Sequence, residues 1–249
     1  MDEALNHIKN LKNLKISGLL IGLTFMFLIS CEKTTVGPEI MGPEPEPLFV
    51  LEKDSISEGA LLGIRIGKTA SEVYYAAQMT LSEHENNHLY IVRPGFSAVE
   101  EVRDLIPLYN SLYFDQVPGS SKGIQVYFEN DRIQSIWTND GKKLKEWPTS
   151  PFHRTRIKVG DPTHSIYTNL EKLSKVGTYS KFFERLTLSD KNVNRAFDPS
   201  ISQASEWYFM IPLLEEQFKI YHLSFEEGVL MKIKWELMGK YMPEVIDGH

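Results

Sequence analysis

The chain has 249 residues, 42% of them hydrophobic and 11% aromatic, with 27 Lys and Arg against 33 Asp and Glu. That composition fits a packed globular domain and excludes a disordered tail. The net charge of −6, with no basic stripe, excludes a grip on phosphate backbones, and a single cysteine excludes an internal disulfide.

The N-terminus is cationic, with Lys9, Lys12 and Lys15, and runs into the apolar segment Ile16 to Ile29. Fourteen residues fall short of the roughly 20 that a helix needs to span a bilayer core. A charged start, a short apolar run and a small-residue exit together read as a secretory signal over residues 1–30. The exit Leu28-Ile29-Ser30-Cys31 resembles the lipobox of bacterial lipoproteins. The resemblance implies that Cys31 is lipidated and becomes the new N-terminus. The chain is then expected in the bacterial cell envelope, lipid-anchored at the outer membrane. More than one acyl chain makes such attachment stable. Residues 31–47 hold Gly37-Pro38, Gly42-Pro43 and Glu44-Pro45-Glu46-Pro47, a composition that favours an extended, solvated tether.

Two later segments match. Ile64-Arg65-Ile66-Gly67-Lys68-Thr69 precedes Ser71, Val73 and Tyr74, and Ile157-Lys158-Val159-Gly160-Asp161-Pro162 precedes His164, Ile166 and Tyr167. Further on, Phe128-Glu129 with Ile133 and Ile136 matches Phe225-Glu226 with Leu230 and Ile233. Two ordered blocks at nearly one spacing predict tandem copies, 48–150 and 151–249. In each copy a strand (Leu62 to Ile66; Thr155 to Val159) turns at a glycine into a helix. Thr69 or Asp161 suits the N-cap and Pro162 the first helical position. The helices carry the stripes Val73, Ala77, Leu81 and Ile166, Leu170, Leu173. Hairpins follow at 124–137 and 220–235, turning at Glu129-Asn130-Asp131 and Glu226-Glu227-Gly228. Further strands are expected at Leu89 to Val92 and Trp207 to Ile211, and a short helix over Ser97 to Leu105. The predicted fold class is α+β: two tandem repeats, each a helix on one face of an antiparallel sheet.

The strand-Gly-Thr-helix entry and the Phe-Glu-Asn-Asp-Arg-Ile hairpin resemble the repeat of small outer-membrane assembly lipoproteins (the SmpA/OmlA group) and of β-lactamase-inhibitor-like tandem domains. The resemblance covers most of Leu62 to Trp137, and more loosely Ile157 to Trp235. It implies a non-catalytic module that binds an envelope protein through the open face of its sheet, with no cofactor.

Alternation along Ile124 to Phe128 puts Gln125 and Tyr127 on the face away from the helix, where Trp137 joins them. His222 takes the equivalent place in the second copy. Exposed Tyr and Trp are common interface anchors, so Tyr127, Trp137, Gln125 and His222 are the partner-binding candidates. The alternative is that the two sheets stack and bury these rings.

The competing chemistry is His84-Glu85-Asn86-Asn87-His88, with H-E-x-x-H spacing. On a helix, His84 and His88 share a face and bind one Zn²⁺ while Glu85 activates water, with Glu100, Glu101 or Asp104 as a third ligand. That is the alternative function, a zinc metallopeptidase. Asn86-Asn87 opposes it by disfavouring the helix interior. His153, Arg154, Arg156 and Lys158 form a local basic patch, read as a solvated strand edge.

Overall fold

In the computed structural model, which describes residues 47–117, 120–213 and 216–240, helix α1 spans Ala70–Glu83 and helix α2 spans Thr163–Ser174. Thr69 starts α1 with a capping box: its hydroxyl accepts from Glu72 N, and the Glu72 carboxylate accepts from Thr69 N at 3.0 Å. Hydrogen bonds from Lys68 first, then from the Thr69 backbone, hold the Glu72 carboxyl down to about 2. The apolar stripe Val73, Tyr74, Ala77 and Leu81 is fully buried. In α2 the stripe is Ile166, Leu170 and Leu173, also buried. Its N-cap is Pro162, without a side-chain bond, because the Asp161 carboxylate instead accepts from Lys158 N at 2.8 Å.

The strands in chain order are β1 (Leu48–Ile56), β2 (Ala60–Leu61), β3 (Ile64–Arg65), β4 (His88–Val92), β5 (Ser111–Asp115), β6 (Ile124–Glu129), β7 (Arg132–Thr138), β8 (Lys143–Leu144), β9 (Glu146–Trp147), β10 (Ile157–Lys158), β11 (Arg185–Thr187), β12 (Asp190–Asn192), β13 (Glu206–Pro212), β14 (Phe218–Glu226) and β15 (Val229–Lys240). One sheet has the order β1-β15-β14-β13-β4-β12 and another the order β11-β5-β6-β7-β8. The named pairings are antiparallel, and the fold is α+β as the periodicities predict. The hairpins turn where expected, with Asn130 and Asp131 at φ 49° and 60°, and Glu227 and Gly228 at 48° and 76°. Two successive positive φ values match the twist of the flanking strands. The expected strands 62–66 and 155–159 shrink to the two-residue β3 and β10, and the short helix near 97–105 is a 3₁₀ turn at Val99–Val102.

Sequence order and packing do not divide the chain at the same place. α1, from the first half, lies in a core with Trp207, Phe209, Leu223, Leu230 and Ile233 of β13 to β15. α2, from the second half, lies in a core with Leu112, Phe114, Val126, Ile133 and Ile136 of β5 to β7. The expectation that each helix covers strands of its own half is therefore corrected: each helix covers the meander of the other.

The two exchanges use the same contacts. Gly67 N donates to Leu230 O at 2.8 Å, and Leu230 N donates back to Lys68 O at 2.9 Å. Gly160 N donates to Ile133 O at 2.8 Å, and Ile133 N donates back to Asp161 O at 2.9 Å. Gly67 and Gly160 hold φ of 82° and 92°, a left-handed backbone that glycine adopts without strain and that aims each N–H at the hairpin.

Candidate functional site

The two sheets meet along one segment, 185–192. Its first part pairs with β5 (Leu186 opposite Phe114, Thr187 opposite Tyr113) and, through Leu186, with Phe96 beyond β4. Its last part pairs with β4 (Asp190 opposite Tyr90) and, through Lys191, with Tyr109 just before β5. The sheets are thus joined edge to edge rather than stacked. The large apolar residues on their helix side are buried, whereas on the opposite face Tyr90, Tyr113, Tyr127, Trp137 and Tyr208 keep partial exposure and the smaller Ser111, Asp115 and Asp190 between them are buried.

On that open face a row of rings crosses three strands. Tyr90 stands opposite Tyr208, and Tyr208 opposite His222. Their ring centroids are 4.9 and 5.8 Å apart with nearly parallel planes, and His88 stacks on Tyr90 at 6.3 Å. Burial, then Asp190, Tyr208 and Tyr127, push the Tyr90 hydroxyl up to about 12, so the Tyr90 hydroxyl remains neutral at physiological pH.

The other half of the face is a polar relay. Tyr113 OH donates to Tyr127 OH at 3.1 Å, Tyr127 OH to Gln125 Oε1 at 2.9 Å, and Gln125 Nε2 to Asn139 Oδ1 at 2.9 Å. Trp137 sits directly opposite Gln125, gives its Nε1–H to Ser135 Oγ at 3.1 Å, and has Lys143 Nζ 5.4 Å from its ring centroid. Tyr127, Gln125 and Trp137 are therefore brought together, each half-buried. His222 is not with them. It lies at the far end of the ring row, with Nδ1 2.7 Å from Glu206 Oε1.

Where the halves join, His88, Asp190, Asn110 and Asn192 form a network. His88 Nδ1 is 3.0 Å from Asp190 Oδ2, Asn110 Nδ2 donates to Asp190 Oδ1 at 3.1 Å, and Asn192 Nδ2 donates to Asn110 Oδ1 at 2.8 Å. The hydrogen bond to Asp190 raises the His88 pKa above its ordinary value, against the opposing effect of burial. His88 and Asp190 are 102 positions apart, so no local pattern could pair them.

The H-E-x-x-H spacing lacks the helix it depends on. α1 stops at Glu83, His84 is its C-cap, and Glu85 sits at φ 51°. His88 already belongs to β4 and is engaged with Asp190. Among the described residues no group of three or more His, Cys, Asp or Glu side chains is placed to hold a metal ion. The basic patch is largely spent: Arg156 and Lys158 both reach Glu146, and the His153 ring packs edge-on against Tyr179 at 4.8 Å. Cys31 and the tether up to Glu46 lie outside the described residues.

No protein-family model, curated protein or solved structure matches this chain. No helix among the described residues is long and apolar enough to cross a membrane.

Proposed function

We propose that the protein is an envelope lipoprotein, anchored to the membrane through Cys31, whose folded part is a non-catalytic module that docks a protein partner on the open face of its joined sheets. One observation carries this reading: Tyr90, Tyr113, Tyr127, Trp137 and Tyr208 share a face on which each ring keeps part of its surface exposed, while both helices pack on the other. Tyr and Trp on a surface fixed by cross-strand hydrogen bonds offer large contact area at little entropic cost. The equivalent contacts of Gly67 and Gly160 support reading the chain as two tandem repeats that have exchanged helices. The anchor rests on the lipobox resemblance.

The experiment is site-specific photocrosslinking of the full chain in its native envelope. A photoreactive residue at Trp137 is expected to capture one discrete protein. The same residue at Met79, 70% exposed on α1, is expected to capture none. The double change Tyr127→Ala/Trp137→Ala should lose the partner with an unchanged melting curve. Equal capture from both positions, or capture that survives the double change, would rule out this face. Cys31→Ala should release the chain from the membrane fraction.

A further inference from the structure

We propose that a cleft at one end of the joint between the sheets binds a neutral oligosaccharide. It has a volume of about 470 Å³ and opens between the β6–β7 hairpin, the 192–195 turn and the loop leading into β4. That volume falls within the range of small-ligand sites.

Its lining is unusual in chemistry rather than in size. Asn87, Asn130, Gln134 and Asn194 face it, with Asn110 and Asn192 also in its wall. Asn110 and Asn192 are locked to each other and to Asp190, which makes them a rigid base. The carboxamides of Asn87, Asn130 and Asn194 have no hydrogen-bond partner among the described residues, although Asn87 is half-buried. Each free carboxamide offers two N–H donors and a carbonyl acceptor in one plane. A sugar hydroxyl donates one bond and accepts others, so neighbouring hydroxyls on a ring match such groups.

The charged side chains in the cleft are already paired. Arg195 Nη2 donates to Asp131 Oδ1 at 2.5 Å, Gln134 donates to Glu129, and His88 is held by Asp190. With no free cation among its described lining residues, the cleft does not match a phosphate or carboxylate. A peptide main chain also pairs with amides, but peptide recognition adds pockets for alternate side chains. The apolar side chain here, Phe128, is only 9% exposed. A pyranose needs instead a flat ring for its C–H face, and His88 offers one, 46% exposed at the side chain and stacked on Tyr90.

The site does not depend on the protein-docking reading, because Tyr127 and Trp137 are not among its lining residues. The test uses the full chain in a non-glycosidic detergent, with maltotriose, xylotriose and chitotriose as probes and triglycine as the peptide control. Saturation-transfer NMR is expected to show saturable binding of at least one trisaccharide in the millimolar range. Asn87→Ala/Asn194→Ala should weaken that binding at least tenfold with the melting temperature unchanged, while Tyr127→Ala/Trp137→Ala leaves it intact. Three results would each overturn the assignment: no saturable binding of any trisaccharide, binding untouched by the asparagine changes, or tighter binding of triglycine that those changes abolish.

Discussion

The Nζ of Lys191 donates to the Tyr74 hydroxyl at 3.0 Å from a position with no solvent exposure. It also donates to Asn192 O at 2.8 Å and lies over the faces of the Tyr74 and Tyr109 rings. This lysine lies beneath the joint between the sheets. Tyr109 is close by, its hydroxyl on Asp198 Oδ2 at 2.6 Å. Burial pushes the Lys191 ammonium down to about 7, with Asp198 opposing and Arg195 assisting. Burial alone would raise the Asp198 carboxyl, but hydrogen bonds from Tyr109 and Ser200 and the charge of Arg93 hold it below the usual range.

The sign of the pH dependence follows. The unfolded chain keeps the Lys191 proton up to about 10.5, whereas the folded chain gives it up near 7. Between those values the unfolded state binds more protons, so this group makes stability rise with pH, and its penalty is fully present below 7. Lys191→Met should remove the penalty, raising the unfolding free energy at pH 7 by about 1–4 kcal/mol. Urea melts at pH 6, 7.5 and 9 check this. A variant less stable than the parent at pH 6 would show that the lysine's hydrogen bonds outweigh its desolvation.

His88 titrates in the opposite sense. Its partner Asp190 raises its pKa, so its contribution to stability is fully present below the unfolded value near 6.5 and fades as pH rises through the folded value. Asp190→Asn should bring the His88 pKa down to its ordinary value or below, since burial then acts without the carboxylate. The C2-proton shift of His88, followed by NMR from pH 5 to 9, reads this directly. A midpoint unmoved in the variant would show that the His88–Asp190 contact is not formed in solution.

Local features of this fold were legible, and partner choice was not. Thr69 as an N-cap, Gly67 before it, and Asn130-Asp131 between two alternating runs each specify a backbone conformation through their own chemistry, and each appears as read, with Glu72 completing a capping box that was not. The stripe Val73, Ala77, Leu81 says that one face of α1 must be buried, but not by what. The meanders at 111–138 and 206–240 present equivalent apolar faces, so self-pairing and exchange satisfy the same local signals. β1 was missed because Leu48-Phe49-Val50-Leu51 follows the Pro-rich tether and is exposed on both faces, which erases the alternation. Strand alternation put Gln125, Tyr127 and Trp137 on the open face, where they lie together. The His88–Asp190–Asn110–Asn192 network was hidden, since its members come from three separate stretches of the chain.

The capping box offers a direct check of local reasoning. Thr69→Ala removes the acceptor for Glu72 N and one partner of the Glu72 carboxylate. Loss of such a cap costs about 0.5–2 kcal/mol. Thr69→Ser should retain most of that, because the hydroxyl is kept. Equal stability of the alanine and serine variants in chemical denaturation would mean that Gly67 and Ala70, bonded to Leu230 and Gly228, fix the helix start without the side chain.

The exchange of helices makes the strongest demand. Residues 47–150 contain α1 and β5 to β7 but not β13 to β15, and residues 151–249 contain α2 and β13 to β15 but not β5 to β7. Each half therefore has a helix without its sheet and a sheet without its helix, and large apolar faces in each have nothing to cover them. Expressed separately, both halves should lack a cooperative thermal transition. Co-expressed, they should form a stable 1:1 complex with the circular dichroism of the intact chain, held by the contacts of Gly67 with Leu230 and Gly160 with Ile133. Replacing Leu230 with Pro removes the N–H that bonds Lys68 O and should prevent the complex. Independent, cooperatively melting halves would mean that each helix can return to the meander of its own half, and that the exchange does not define the fold.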